Sequence, residues 1–128
     1  MNENEYIAEL SARWPRGSSS FEPNFEAMPE TIALADEAVR AFPDSPKLWC
    51  MRGDLIQLAS ESCPHSLNDA GACFLRAIAI DPSFAEVYEE AAHFYDAVMP
   101  DEQRAGFYFA EFQRLQQLAS TSSGSNAQ

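Results

Sequence analysis

The stretch Thr31-Ile32-Ala33-Leu34-Ala35 through Pro43-Asp44-Ser45-Pro46-Lys47-Leu48-Trp49 decides the fold, because its pattern returns as Ala70 through Asp81-Pro82-Ser83-Phe84-Ala85-Glu86-Val87-Tyr88. Each stretch runs eighteen residues from first to last position. In both, a small residue (Ala38, Ala77) falls seven after the start and a proline (Pro43, Pro82) falls twelve after it. A helix–proline–helix spacing used twice marks an internal repeat, which takes precedence over other fold arguments.

Outward from this repeat, apolar residues recur at helical spacing and strand-like alternation is almost absent. Six helices are expected. The first covers residues 3–14, with Tyr6, Ile7, Leu10 and Trp14 on one face, Asn2 and Glu5 as a reciprocal cap, and Pro15 as terminator. The second covers 29–42 and stops before Pro43. Ser45 and Pro46 open the third, because a serine oxygen satisfies an orphan donor and proline fits the first turn. That helix runs to Ala59. The fourth covers 67–80, the fifth starts at a Ser83–Glu86 capping-box pattern and reaches Val98, and the sixth covers 102–119. One domain is expected over 1–119, with loops at 15–29 and 60–66 inside hairpins. The Ser/Thr/Gly-rich residues 120–128 read as a disordered tail.

The repeat resembles the tetratricopeptide family, whose unit is a helical hairpin of about 34 residues. The residues that carry the resemblance are Trp49, Gly53 and Ile56 in one first helix, Tyr88, Ala92 and Tyr95 in the next, and more faintly Ile7, Ser11 and Trp14. Second helices match at Ala70, Phe74 and Ala77, and more loosely at Thr31, Ala35 and Ala38. In the last unit Ala105 and Phe109 fit, while Phe112 stands where a small residue belongs. From the early large residue to the second-helix pattern the spans are 24, 21 and 17 residues, so the first two hairpins carry long loops. The resemblance implies an all-α fold: a short right-handed stack of about three antiparallel hairpins, each completing its burial against the next.

Composition narrows function. Of 128 residues, eight are Lys or Arg and twenty are Asp or Glu, giving a net charge of −12 with Lys47 the one lysine. Phosphate-backbone binding and polybasic membrane contact both need clustered cations, so nucleic acid and membrane are excluded as expected partners. The N-terminal residues lack the charged and apolar runs of a signal peptide, and no stretch approaches a membrane span. Three cysteines without framework spacing fit free thiols, so a cytoplasmic location is expected.

Chemistry-bearing motifs are scarce. There is no serine elbow, phosphate-cradling glycine loop or paired-histidine motif, and no enzyme or cofactor is expected. Cys63, His65 and Cys73 are the candidates for metal, but structural zinc needs two close ligand pairs and only one is present. Cys73, beside Phe74, reads as a small core residue.

What the resemblance implies is a concave groove lined by first helices. Its positions here are Glu5, Ala8 and Ala12; Lys47, Cys50, Asp54 and Gln57; and Glu86, Glu89, His93 and Asp96. Family members that clamp a C-terminal carboxylate use Lys, Arg and Asn on this face, and Cys50, Asp54, Glu89 and His93 do not match that mode. An acidic groove concentrates cations, so the expected ligand is a basic segment of another protein, held by a non-catalytic interaction module of adaptor type. A related expectation is a small acidic inhibitor or immunity-type protein masking a toxin or enzyme. Phe107, Tyr108, Phe109, Phe112 and Leu115 on the last helix span most of a helical circumference and cannot all bury together, which makes Phe107, Tyr108, Phe112 and Leu115 a candidate surface for a homodimer or for docking of a partner.

Overall fold

The computed structural model describes residues 1–15, 26–59 and 63–126, the stretch 121–126 by backbone alone. The described residues form helices α1 (Glu3–Ala12), α2 (Pro29–Ala41), α3 (Pro46–Gln57), α4 (Leu67–Ile80), α5 (Ala85–His93) and α6 (Glu102–Asn126), with a π-helical turn over Phe94–Val98 after α5. No strand occurs among them; a single parallel bridge joins Ala27 to Ala59. The fold is all-α. Each helix packs on the next, and contacts also run from α1 to α3 and from α3 to α5.

The caps show why the helices begin where they do. Asn2 and Glu5 satisfy each other's backbone N–H at 2.8 and 2.9 Å, and Ser45 accepts from Leu48 N. Ser45 also donates to Glu3 at 2.7 Å, tying the start of α3 to α1. A second reciprocal box, Ser66 with Asp69, opens α4. The box expected at Ser83 and Glu86 does not form. Ser83 turns back to Asp81, while Glu86 is taken by Lys47 on α3.

The repeat is visible in the backbone. In the α2–α3 connection Phe42 N donates to Ala38 O and Ser45 N to Phe42 O; in the α4–α5 connection Asp81 N donates to Ala77 O and Phe84 N to Asp81 O. Each bond has its counterpart 39 residues on. The side chains follow suit. The Trp49 indole donates to Pro43 O and the Tyr88 hydroxyl to Pro82 O, both at 2.8 Å. Burial repeats as well, pairing Ala38 with Ala77, Leu48 with Val87, and Leu55 with Phe94.

Two cores result. One gathers Tyr6, Leu10, Ile32, Val39, Leu48, Met51 and Leu55; the other gathers Ile56, Phe74, Val87, Tyr88, Phe94, Tyr95 and Tyr108. Trp49 packs against both and joins them. In α1 the interior positions are Tyr6 and Leu10, so the Ile7–Ser11–Trp14 alignment lies one step round the helix from the true interior stripe. Between α1 and α2 and just past α3, Ala27 N donates to Leu58 O at 2.8 Å; residues 16–25 and 60–62 of the α1–α2 and α3–α4 connections lie outside the described residues.

Helix α6 runs on through Asn126, so residues 120–126 are helical where composition reads as a tail; residues 127–128 lie outside the described residues. Serine and threonine cost a helix only a few tenths of a kcal/mol each, and extending an existing helix avoids the nucleation penalty.

Gly53 sets the distance between α3 and α4. A Cβ there would lie 2.8 Å from the Phe74 ring and 3.1 Å from Ala70 O. Phe74 is wholly buried and cannot swing away. Gly106 on α6 meets nothing within 4 Å. Gly53→Ala therefore destabilises by about 1 kcal/mol, an overpacking cost of about 2 kcal/mol partly offset by helix propensity. Gly106→Ala stabilises by about 0.5–1 kcal/mol. Urea unfolding of the two variants tests this, and the opposite signs are the expected result.

Candidate functional site

A cleft of about 290 Å³ lies where α1, α3 and α5 come together, lined by Ser11, Trp14, Lys47, Met51, Asp54, Glu86 and Glu90. The helical period explains the set. Lys47, Met51 and Asp54 follow one another along one stripe of α3, and Glu86 and Glu90 stand one turn apart on α5. Trp14, just past α1, closes the third side.

At the mouth Lys47 Nζ contacts both Glu86 carboxylate oxygens, at 2.7 and 2.9 Å. Both partners are more than a third exposed, so the pair adds little stability, though it does tie α3 to α5. Deeper in, Asp54 lines the cleft with Glu90 and accepts a hydrogen bond from Gln57 Nε2 at 3.4 Å. Burial first, then the charges of Glu90 and Glu86, push the Asp54 carboxyl up to about 9; Lys47 pulls weakly the other way. Burial and its acidic neighbours therefore make Asp54 resist ionisation. Cys50 lies beneath, 1% exposed, its thiol driven far up by burial and by Asp54, Glu86 and Glu90.

Of the groove positions expected from the sequence, Lys47, Asp54 and Glu86 line this cleft and Gln57 supports it through Asp54. Cys50 is not a groove residue but part of the core. Glu89 is half-buried outside the cleft lining. His93 meets the Phe109 ring edge-on at 5.9 Å, and Asp96 lines a separate recess with Tyr95, Pro100 and Phe109. On α1, Glu5 serves the cap, and Ala8 and Ala12 are exposed away from the cleft. Sequence reasoning missed Glu90 and Met51, although each lies one helical turn from a residue it did select. It also missed Trp14, because the faint repeat placed that ring in the interior.

The proposed association surface is corrected in part. Tyr108 is 9% exposed and stacks on Tyr95 at 5.8 Å, while Phe112 and Leu115 pack on the same core. Phe107 stays 59% exposed, with Phe109 and Leu118 also exposed. Phe107 and Phe109 leave opposite sides of α6, so they form no single patch.

A second polar cluster lies on the opposite edge. Arg52 Nε donates to Asp36 at 2.8 Å and Nη1 to Cys73 Sγ at 2.8 Å, and His65 Nε2 lies 2.9 Å from Asp36. Burial opposes ionisation of Asp36, but hydrogen bonds with His65 and Arg52 outweigh it and hold the carboxyl below its ordinary value. Burial pushes the Cys73 thiol up to about 11 despite Arg52. Cys63 Sγ accepts from the His65 backbone at 3.5 Å. The guanidinium thus stands among the residues considered for metal, and no three His, Cys, Asp or Glu side chains among the described residues are grouped to hold an ion.

No family model matches this chain, and no curated protein or solved structure is significantly similar to it. Among the described residues no helix is long and apolar enough to cross a membrane.

The raised Asp54 value has a consequence for stability. A group whose folded pKa exceeds its unfolded value stabilises fully below the unfolded value, near pH 4, and that contribution is lost as pH rises toward 9. Asp54→Asn removes this dependence. Thermal unfolding should show the variant close to the native protein near pH 4 and more stable at pH 8, by several degrees.

Proposed function

We propose that this chain is a non-catalytic protein-interaction module, a tetratricopeptide-like stack of three hairpins that binds a basic or partly basic polypeptide through the cleft between α1, α3 and α5. The observation that carries the reading is the cleft itself. Three alternate helices contribute to one concavity in which three acids meet a single lysine. The contacts of α1 with α3 and of α3 with α5 support the stacked arrangement, as do the matched α2–α3 and α4–α5 connections. Electrostatics supports the choice of ligand. A recess with more acids than cations, on a chain of net −12, draws in cations and repels nucleic acid. Buried aliphatic and aromatic contacts from Met51 and Trp14 would supply affinity, with the acids setting orientation and selectivity.

An inhibitor that masks a basic surface on a toxin or enzyme is one form of this activity. It uses the same face, and the identity of the captured protein separates it from an adaptor.

Reversing charge in the cleft tests the reading. Glu86→Lys together with Glu90→Lys should abolish capture of the partner by the tagged chain, as read by mass spectrometry, with far-UV circular dichroism still helical. Glu89→Lys with Asp96→Lys, outside the cleft lining, should retain capture. Full capture by the Glu86/Glu90 variant would remove the cleft as the binding site.

A further inference from the structure

Helix α6 carries an outward stripe that no other helix covers. At about 100° per residue, Phe107, Glu111, Arg114 and Leu118 fall within an arc of about 60°. Tyr108, Phe112 and Leu115 pack on the core, whereas Phe107 is 59% exposed and Leu118 55%. An apolar residue thus stands at each end of the stripe and an ion pair at its middle. Arg114 Nη2 lies 2.8 Å and Nε 3.3 Å from Glu111 Oε2. Both bonds go to one carboxylate oxygen, and Oε1 takes no part in them.

The stripe is complementary to itself. Turning a second α6 end over end about an axis midway between Phe112 and Gln113 sets Phe107 opposite Leu118 of the copy, Glu111 opposite its Arg114, and Arg114 opposite its Glu111. Intervals of four, three and four residues along the stripe are those of the seam between two packed helices. A two-fold contact requires one patch to match itself, and here apolar meets apolar while acid meets base. Charge also favours this helix. Helices α1 and α5 each carry three acids and neither Lys nor Arg, whereas α6 carries two acids and two arginines. On a chain of net −12, a second copy meets little repulsion along a helix whose own charges cancel. We propose that α6 forms a two-fold homodimer, with two copies packed antiparallel through Phe107, Glu111, Arg114 and Leu118 and the two ion pairs joined into one network. This face lies outside the cleft between α1, α3 and α5, so the proposal does not depend on what the cleft binds. The contact spans about 17 Å of helix, which places it among small, transient interfaces.

Sedimentation equilibrium of the full chain from about 10 μM to about 1 mM suits an interface of that class and should give a mean mass rising from one chain toward two. Glu111→Arg and Arg114→Glu each set like charges opposite one another, and each variant alone should remain a monomer. Mixed in equal amounts, the two variants should associate again, since each then meets its complement. The chain carrying both substitutions should also pair with itself. Phe109→Ser, on the other side of α6, should leave the native association unchanged. Far-UV circular dichroism checks that every variant keeps its helicity. A native chain that stays monomeric throughout the range would overturn the proposal. Undiminished association of either single variant would overturn it too, as would a mixture that stays monomeric while the native chain pairs.

Discussion

Two proline carbonyls, Pro43 and Pro82, each accept a hydrogen bond from an aromatic side chain six residues further on, and the arrangement of the chain follows from that pair of contacts. Each proline ends one helix, and each aromatic stands in the first turns of the next. The bond between them fixes the angle at which the chain re-enters a helix. With both connections built alike, α3 and α5 leave their turns in equivalent orientations and present equivalent stripes. Leu48 and Val87 then point inward together, and Lys47 and Glu86 meet on the outside. Neither the cleft nor its charge pattern could exist if the two turns differed.

Packing converts this local equivalence into a continuous body. Small residues at Gly53 and Ala70 let α3 and α4 approach so closely that a Cβ at Gly53 would run into the Phe74 ring, and the aromatics of α5 and α6 fill the space beyond. Phe74 meets Phe94 edge-on at 5.6 Å, Phe94 meets Tyr95, and Tyr95 stacks on Tyr108. Trp49 connects this core to the one around Tyr6 and Leu10. On the far edge the Arg52–Asp36–His65 cluster holds the residues before α4 against α2. That cluster reads as architecture, since its guanidinium is committed to a carboxylate and a thiol.

Helix positions were legible in the sequence because prolines and caps announce them directly. Pro29, Pro46 and Asn2 open helices where expected, and α4 spans the residues its periodicity implies. The site was legible only in part. Lys47, Asp54 and Glu86 follow from helical spacing once first helices are taken as the lining. Trp14 does not, since its position depends on how α1 rotates to bury Tyr6 and Leu10, and one residue of shift turns the stripe by about 100°. Cys50 was misplaced for a similar reason, as a small residue beside a groove can equally serve as its floor. The Arg52 cluster draws on α2, α3, α4 and the residues before α4, and no local pattern foretells such a meeting. In residues 120–126 composition argues for a tail, while the backbone of α6 continues to Asn126.

The central claim is that α3 and α5 lie side by side with their stripes in step, so that Lys47 faces Glu86 and the two aromatic–proline contacts repeat. A three-dimensional ¹³C-edited NOESY spectrum of uniformly labelled protein tests it most directly. The account predicts cross-peaks between the Lys47 and Glu86 side chains, together with matching contacts from the Trp49 ring to Pro43 and from the Tyr88 ring to Pro82. A spectrum with Lys47 and Glu86 each showing contacts only within its own helix would contradict it.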